Sequence, residues 1–164
     1  MGVDRFKTLI KRTADVYRVN PYLVAAIVSV ESGWEPLRVR YELEWRYFAD
    51  PVVYAKALGI TEKTERVFQA CSFGLMQVMG TVYREQGYKG HLSALPGMTE
   101  MGLDHGCLKL QALFLRYGDK KVADVVSAYN AGTARVKGGQ YSNQSYVDEV
   151  VGRMDDLQQS GVFG

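Results

Sequence analysis

The chain has 164 residues, with 20 lysines and arginines against 18 aspartates and glutamates, and a formal net charge of +2. Apolar residues make up 47% and charged residues 23%, proportions that exclude an intrinsically disordered chain and are typical of a globular protein. This length and nearly balanced charge predict a single domain over residues 1–164, and they give no indication of a nucleic-acid partner or of more than a monomer.

The N-terminal segment, residues 1–20, carries charged side chains throughout and has no continuous apolar core before a small-residue cleavage site. We therefore expect no secretory signal in it and a chain made in the cytoplasm. The most apolar stretch, residues 22–30, is too short to cross a bilayer, so we expect no stable membrane association.

A buried helix is predicted directly after this segment. Asn20 is a favourable N-cap, Pro21 suits the first helical position, and Gly33 follows Ser32 where the helix would end. Residues 23–28 are apolar on nearly every side, which is typical of a helix surrounded by the core.

Caps and glycines predict further helices, so the expected fold class is mainly α. They run over residues 51–58 before Gly59, from Thr61 to about Phe68, over 75–86 before Gly87, from Thr99 to Tyr117, over 122–131 before Gly132, and around 146–157. One stretch differs, because apolar and charged residues alternate from Arg38 to Phe48. This period of two predicts a small extended excursion near residues 38–48, although Tyr41, Trp45 and Phe48 also fit one helix face.

The cysteines and histidines indicate no metal site. Cys71 and Cys107 belong to no CxxC pair, and we expect reduced, partly buried thiols. His91 and His105 lie 14 positions apart, which is outside the usual spacing of a metal-ligand pair.

Glu31 is the carboxylate in the least ordinary setting. It occupies the last turn of the apolar helix, where burial and the negative end of the helix dipole both disfavour the charged form. Both effects raise the pKa of the carboxyl group, and an acid that stays protonated near neutral pH can donate its proton to a leaving oxygen. The alternative is a helix-terminal glutamate that points into solvent.

Three later segments add polar groups beside apolar ones. They are residues 72–79, Ser-Phe-Gly-Leu-Met-Gln-Val-Met; residues 128–132, Ala-Tyr-Asn-Ala-Gly; and Tyr146, which opens the final helix. Taken singly, each also has a structural explanation, with the methionines filling the core and Asn130 capping a helix.

Together with Glu31-Ser32, these segments resemble the catalytic domain of soluble lytic transglycosylases, which are related to goose-type lysozymes. The family pattern is Glu-Ser, Gly-Leu-Met-Gln, Ala-Tyr-Asn-Ala-Gly and a late tyrosine, and the chain has all four in this order. The resemblance spans roughly residues 19–151. It implies a lysozyme-like α+β fold, a cleft that binds the glycan strands of peptidoglycan, and no cofactor.

The resemblance also implies roles for individual residues. Glu31 would act first as the acid and then as the base in cleavage of the β-1,4 bond between N-acetylmuramic acid and N-acetylglucosamine, leaving 1,6-anhydromuramoyl ends. The substrate-binding candidates are Ser32, Ser72, Gln77, Met79, Tyr129, Asn130 and Tyr146.

This reaction is consistent with a single carboxylate in an apolar setting. An ordinary glycosidase needs two carboxylates, about 5–5.5 Å apart when it retains configuration and about 6.5–9.5 Å apart when it inverts. One residue suffices if the 6-hydroxyl of the sugar attacks its own anomeric carbon. Tyr129 and Gln77 would then orient Glu31 or the sugar.

The long interval between Glu31 and Gly74 departs from the compact family pattern. Its aromatic residues, Trp34, Tyr41, Trp45 and Tyr47, would suit sugar stacking, and its arginines, Arg38, Arg40 and Arg46, would suit anionic groups of the substrate; alternatively, the aromatic residues cover the core. The interval also contains Glu44 and Glu65. Glu65 is the better candidate for a second carboxylate that holds a water and makes the enzyme a hydrolase.

The sequence therefore predicts a peptidoglycan-cleaving enzyme. Without an export signal, we expect a phage endolysin that stays in the host cytoplasm until it reaches the wall, with a virion-associated lytic protein as the alternative. A muramidase and a non-catalytic glycan-binding structural protein are the competing functions. An acid at position 31 argues against the last.

Overall fold

The computed structural model describes residues 2–119 and 121–164. The α-helices in this part of the chain are α1 (Gly2–Tyr17), α2 (Pro21–Ser32), α3 (Pro51–Leu58), α4 (Glu62–Gln69), α5 (Gly80–Glu85), α6 (Thr99–Tyr117), α7 (Val122–Ala131) and α8 (Gln144–Ser160), with a 3₁₀ helix at Leu92–Gly97. The strands are β1 (Val39–Tyr41), β2 (Cys71–Phe73), β3 (Val78–Met79), β4 (Val136–Lys137) and β5 (Gln140–Tyr141). The mainly α class is confirmed.

Helix α2 has the predicted bounds and lies inside the core. The Asn20 side chain accepts a hydrogen bond from the Tyr22 N–H at 2.8 Å, and Gly33 ends the helix in the left-handed conformation, with φ of 60°. Its apolar residues from Leu23 to Val28 are fully buried. Helices α1 and α8 pack against it, so its C-terminal turn, with Glu31, is held by neighbours on several sides.

Helix α1 was not predicted, because its segment was considered only as a signal candidate. Its buried residues Val3, Phe6, Ile10 and Ala14 recur at the three- and four-residue spacing of one helix face. This face packs against α2 and α6. The charges that argue against a signal lie on the opposite, solvent-facing side of an amphipathic helix.

The extended excursion is confirmed for part of its predicted length. Strand β1 covers residues 39–41 and pairs antiparallel with β2, with Val39 opposite Phe73 and Tyr41 opposite Cys71. Strand β2 pairs in turn with β3. Residues 42–50 form turns and irregular backbone rather than the strand that the alternation predicted up to residue 48.

The predicted helix over residues 75–86 is wrong in its first half. Residues 74–77 form a turn with φ of 71° at Gly74 and 47° at Gln77, β3 follows, and α5 begins only at Gly80. The Gln77 side chain explains the turn, because its amide nitrogen donates to the carbonyl oxygens of Gly74 at 2.9 Å and Arg38 at 3.1 Å. Its amide oxygen accepts from the Ser72 hydroxyl at 2.9 Å. A non-local set of partners therefore overrides the local helical pattern.

The remaining helices agree with the sequence analysis. Gly59 and Gly132 end α3 and α7, and the Thr61 hydroxyl caps α4 by accepting from the Thr64 N–H at 3.1 Å. Thr99 is the first helical residue of α6 rather than its cap. Helix α8 is longer than predicted.

Two general features of the described residues complete the fold. Cys71 and Cys107 are both buried and free of disulfides, as expected for reduced thiols. Within residues 2–119 and 121–164, no helix combines the length and the apolar character required to span a membrane.

A buried ion pair joins α4 to α5. The Arg84 guanidinium donates to both carboxylate oxygens of Glu65, at 2.7 and 3.0 Å, and the Gln69 amide adds a third hydrogen bond at 2.9 Å. Both side chains are at most 1% exposed. Arg84 also donates to the backbone carbonyls of Tyr88 and Gly90, each at 2.8 Å. These contacts hold the loop after α5 against α4.

We expect the substitution Arg84→Met to lower the free energy of unfolding by about 3–5 kcal/mol, because it leaves the Glu65 carboxylate buried without its cation. Arg66→Met is the matched control, since Arg66 forms an exposed pair with Glu62 on the same helix as Glu65. The control should lose less than about 1 kcal/mol. Urea unfolding curves of the three proteins measure both values, and equal losses would contradict a structural role of the buried pair.

Candidate active site

The Glu31 carboxyl group lies where α2 ends and α8 begins. Its side chain is half-buried, and the Tyr146 hydroxyl donates a hydrogen bond to its Oε1 atom at 2.7 Å. Glu31 is in the last turn of α2, whereas Tyr146 is in the first turn of α8. The packing of these two helices therefore brings together residues that are 115 positions apart in sequence.

Burial raises the pKa of Glu31 above its ordinary value. Four groups oppose this effect by favouring the carboxylate: the Tyr146 hydroxyl through its hydrogen bond, and the cations of Arg40, Lys109 and Arg38. The net direction is upward, so the proton stays on Glu31 to a higher pH than on an exposed glutamate. The expectation of a raised pKa is confirmed, with burial as the leading cause.

Tyr146 remains a hydrogen-bond donor to Glu31. Burial raises the pKa of its phenol far above the ordinary value, and the neighbouring Glu31 charge raises it further. The phenol therefore keeps its proton throughout the usual pH range. Its hydrogen bond fixes the direction of the carboxyl group in either protonation state.

Tyr129 forms the next layer of the site. It is buried, and its hydroxyl donates to the backbone carbonyl of Met76 at 2.8 Å. Met76 itself packs on α6, where a Cβ atom at Gly106 would clash with its thioether. The Tyr129 hydroxyl is thus already hydrogen-bonded to the turn before β3. The ring and the backbone carbonyl of Tyr129 are the parts that contact neighbouring groups of the site.

Lys109 is a residue of this site that the sequence analysis missed. Its ammonium group donates to the Tyr129 backbone carbonyl at 2.8 Å and lies 4.2 Å from the centre of the Tyr129 ring. Burial lowers the pKa of Lys109 to about 8, against the opposing effect of Glu31 and Glu85. A signal existed in the sequence, since this lysine interrupts the otherwise buried face of α6 formed by Gly106, Cys107 and Leu110.

A cleft of about 770 Å³ lies beside this cluster. Of the residues predicted for the site, Met79, Tyr129 and Asn130 line it. Lys109 lines it as well. Glu31 and Tyr146 are not among the lining residues, but Lys109 and Tyr129, which are, both interact electrostatically with Glu31. Trp45 and Tyr47, two of the aromatic residues that the sequence analysis considered for sugar stacking, line it too. The remaining lining residues are Thr81, Val82, Glu85, Gln86, Ala112, Leu113, Arg116, Ala131, Gly132, Thr133 and Arg135.

Three of the predicted binding residues are engaged within the protein instead. The buried Ser32 hydroxyl donates to the Val28 carbonyl of its own helix at 2.9 Å. The Ser72 hydroxyl donates to the Gln77 side-chain oxygen, and the Gln77 amide nitrogen donates to the Gly74 carbonyl of the turn. None of the three lines the cleft, and their contacts stabilise the elements that carry the site.

Asn130 presents an exposed amide at the end of α7. Its side-chain oxygen accepts a hydrogen bond from the Asn143 amide at 3.0 Å, and Asn143 in turn accepts from the Ser127 hydroxyl at 2.7 Å. This chain fixes the orientation of Asn130 and leaves its NH₂ group directed away from that bond. Asn130 can therefore offer donors to a ligand in the cleft.

The candidate carboxylates lie in different surroundings. Glu65 has both oxygens bound to Arg84 in the buried pair between α4 and α5, an arrangement that favours a structural role over positioning a water. Glu44 is exposed in the irregular segment after β1. Glu85, which the sequence analysis did not consider, is the carboxylate that lines the cleft in the described part of the chain.

Comparison with known protein families identifies a family model that covers most of the chain. The family model described as "Transglycosylase SLT domain" matches residues 8–150, a span that includes Glu31, the turn at Gln77, Tyr129 and Tyr146. No curated protein matches the chain.

We expect the substitution Tyr146→Phe to raise the pKa of Glu31 further, because the phenol bond favours the charged carboxylate and phenylalanine cannot donate it. Carbon-13 NMR titration of labelled glutamate, with Glu31→Gln to assign the resonance, measures the shift. The matched control is Tyr141→Phe, whose hydroxyl bonds to Asp124 at 2.6 Å and not to Glu31. A downward shift in Tyr146→Phe, or an equal shift in both variants, would contradict the assigned effect.

Proposed function

The chain belongs to the transglycosylase SLT family, whose members are lytic transglycosylases that cleave peptidoglycan, and we propose which bond it cuts and how its active site does so. The enzyme cuts the β-1,4 bond between N-acetylmuramic acid and N-acetylglucosamine and leaves a 1,6-anhydromuramoyl end. Glu31 is the catalytic acid and then the base. The observation that carries this proposal is a half-buried carboxyl group whose pKa is raised and whose influential neighbours are a phenol and three cations.

In the first step, Glu31 donates its proton to the glycosidic oxygen. The bond between that oxygen and the anomeric carbon of the muramic acid breaks, and N-acetylglucosamine leaves as an alcohol. Burial supports this step, because it keeps Glu31 protonated at a pH where an exposed glutamate has lost its proton. The positive charge that develops on the sugar ring is stabilised by its own acetamido group and by dipoles of the site.

In the second step, the 6-hydroxyl of the same muramic acid attacks the anomeric carbon. The new carbon–oxygen bond closes the anhydro ring, and the hydroxyl proton passes to the Glu31 carboxylate. Glu31 is thereby protonated again, and the reaction consumes no water. The same residue thus serves both steps.

The neighbours of Glu31 support its brief existence as a carboxylate between these steps. Tyr146 donates a hydrogen bond to it, and Lys109, Arg38 and Arg40 lower its pKa. Burial alone would hinder proton donation, because it would hold the proton on Glu31 too tightly. The opposing cations bring the acid and base forms closer in free energy, which a group that acts in both roles requires.

The cleft fits an extended polar polymer with apolar faces. Trp45, Tyr47 and Met79 supply apolar surface, while Asn130 and Arg135 supply hydrogen-bond donors. A sugar ring has this same division, with hydroxyl and acetamido groups at its edge and C–H groups on its faces. These residues are the substrate-binding groups of the proposal.

Hydrolysis is the second candidate reaction, because Glu85 is exposed in the wall of the cleft. A carboxylate there could hold a water on the side of the sugar opposite Glu31. The released product would then carry a reducing muramic acid with one added water. The proposal of intramolecular attack requires that Glu85→Gln still produces anhydromuramoyl ends.

We expect Glu31→Gln to reduce the turnover of purified peptidoglycan by at least about 10²–10⁴-fold, because the amide cannot transfer a proton to the leaving oxygen. Binding to insoluble peptidoglycan should persist, since the substitution preserves the shape of the side chain. Glu100→Gln is the matched control, as Glu100 is exposed on α6, pairs with Arg12 and does not line the cleft.

Mass spectrometry of the wild-type products then distinguishes the two reactions. Anhydromuramoyl ends support the proposed transglycosylase, and reducing ends that disappear in Glu85→Gln would establish the hydrolase. Full activity of Glu31→Gln would overturn the assignment of the acid.

We further propose that the enzyme acts as a phage endolysin that is made in the host cytoplasm and reaches the wall at lysis. Expression in bacteria with and without a pore-forming holin tests this setting. Rapid lysis only when the holin is present supports the proposal. Lysis without it would contradict the proposal, as would detection of the protein in purified virions, which would establish the virion-associated alternative.

A further inference from the structure

Large apolar side chains are exposed mainly in one part of the molecule. Among the described residues, most of them lie between Leu37 and Val67, although this segment is a small part of the chain. Single exposed apolar residues are ordinary, but a contiguous set usually marks a binding surface. Tyr41 is 51% exposed and Tyr47 is 74% exposed, so two aromatic rings of this set face solvent.

Part of this surface forms a groove of about 440 Å³ between the segment after β1 and helix α4. Tyr41, Trp45 and Phe48 contribute aromatic rings, and α4 contributes Val67 and Arg66 from the other side. This volume lies within the range of small-molecule sites, and apolar walls with a few polar groups are typical of them.

Three charged side chains line this groove, the paired Glu62 and Arg66 and the exposed Lys63. The Arg66 guanidinium lies 4.8 Å from the centre of the Phe48 ring and forms an ion pair with Glu62 at 2.7 Å. Arg66 is therefore stacked and neutralised rather than directed at an anion. The groove therefore presents aromatic faces beside one ion pair and one exposed ammonium group, a character that suits a ligand with apolar faces and with hydrogen-bond acceptors at its edge.

Trp45 connects the groove to the catalytic cleft, because its ring lines both. Its indole N–H donates to the Thr81 hydroxyl at 2.9 Å. The carbonyl oxygens of Tyr47, at 2.8 Å, and Gln69, at 3.2 Å, are both within reach of the one hydrogen of that hydroxyl. Gln69 also exchanges hydrogen bonds with the backbone of Ala49. The wall shared by the two cavities is thus held in place from α4, α5 and the segment before α3.

We propose that this groove is a remote glycan subsite, which binds an N-acetylhexosamine of the same peptidoglycan strand beyond the sugars held in the cleft. The inference rests on the proposed function, since it takes the cleft as the place where the strand is cut. The C–H face of the sugar stacks on Tyr41 and Trp45, and its hydroxyl and acetamido groups face the polar side chains of α4.

The subsite affects the binding of long strands and leaves the chemistry unchanged. A short strand fills the cleft without reaching past Trp45, whereas a long strand gains the additional stacking contact. Stacking contacts of this kind amount to about a two- to tenfold change in affinity. The effect should therefore appear in KM for long strands alone.

The test compares Tyr41→Ala with the wild type on peptide-free glycan strands of two lengths, four sugars and at least ten. We expect KM for the long strands to rise by about two- to tenfold, with kcat unchanged and with no effect on the four-sugar strands. Tyr41→Phe should retain wild-type KM, because it keeps the ring. Val53→Ala is the matched control, since Val53 is exposed in the same region and lines neither cavity.

Several outcomes would overturn the subsite. A loss that is equal for both strand lengths would place Tyr41 in the cleft itself, and no loss for either would remove it from binding. A loss seen only with strands that carry stem peptides would identify the peptide as the occupant. A lower molecular mass in solution for Tyr41→Ala than for the wild type, both without ligand, would show that the groove binds a second copy of the chain.

The proposal of the subsite and the proposal of the reaction can be contradicted independently of each other. The ratio of KM values between long and short strands reports on the groove whatever the product is. Activity of Glu31→Gln and the chemistry of the ends report on the reaction. Binding of long strands to Glu31→Gln, measured by calorimetry with and without Tyr41→Ala, tests the groove in the absence of turnover.

Discussion

The burial of α2 on nearly all sides is the constraint on which the site depends. A helix that is apolar all round has no solvent face, so α1, α8 and the elements beyond them must enclose it. Glu31 lies in the last turn of the helix, where this enclosure opens. Its raised pKa therefore follows directly from the way the core is built, because the same packing that stabilises α2 removes water from the carboxyl group.

Most of the helical framework could be predicted, because its signals are local. The N-cap at Asn20, the proline after it and the glycine at position 33 define α2 without reference to the rest of the chain. The residues around Glu31 depend on non-local packing. Tyr146 is 115 positions away from it, and Lys109 reaches the site only because α6 and α7 pack together. Sequence reasoning that assigns partners from neighbouring positions cannot find such pairs.

Glu65 and Gln77 also show that non-local partners cannot be found from neighbouring positions in the sequence. Glu65 is a charged residue on a short helix and suited a role in chemistry, yet the packing of α4 on α5 gives it Arg84 as a buried partner. Gln77 lies in a segment with a helical pattern, yet its side chain satisfies the carbonyls of a turn. In both cases the deciding interaction is a buried polar group that must find a partner, and the partner lies elsewhere in the chain.

The small sheet connects the segment after α2 to the acid. Gln77 and the Gly74 N–H both donate to the Arg38 carbonyl, and β1 pairs with β2 through Arg40 and its neighbours. The Arg38 guanidinium in turn donates to the Ser32 carbonyl, at the end of α2, at 3.3 Å. The turn between β2 and β3 thus fixes Arg40 in β1 and Arg38 directly before it, two of the three cations acting on Glu31. Ser72 and Gln77 therefore influence the acid although neither lines the cleft, since they hold the backbone from which its electrostatic surroundings are built.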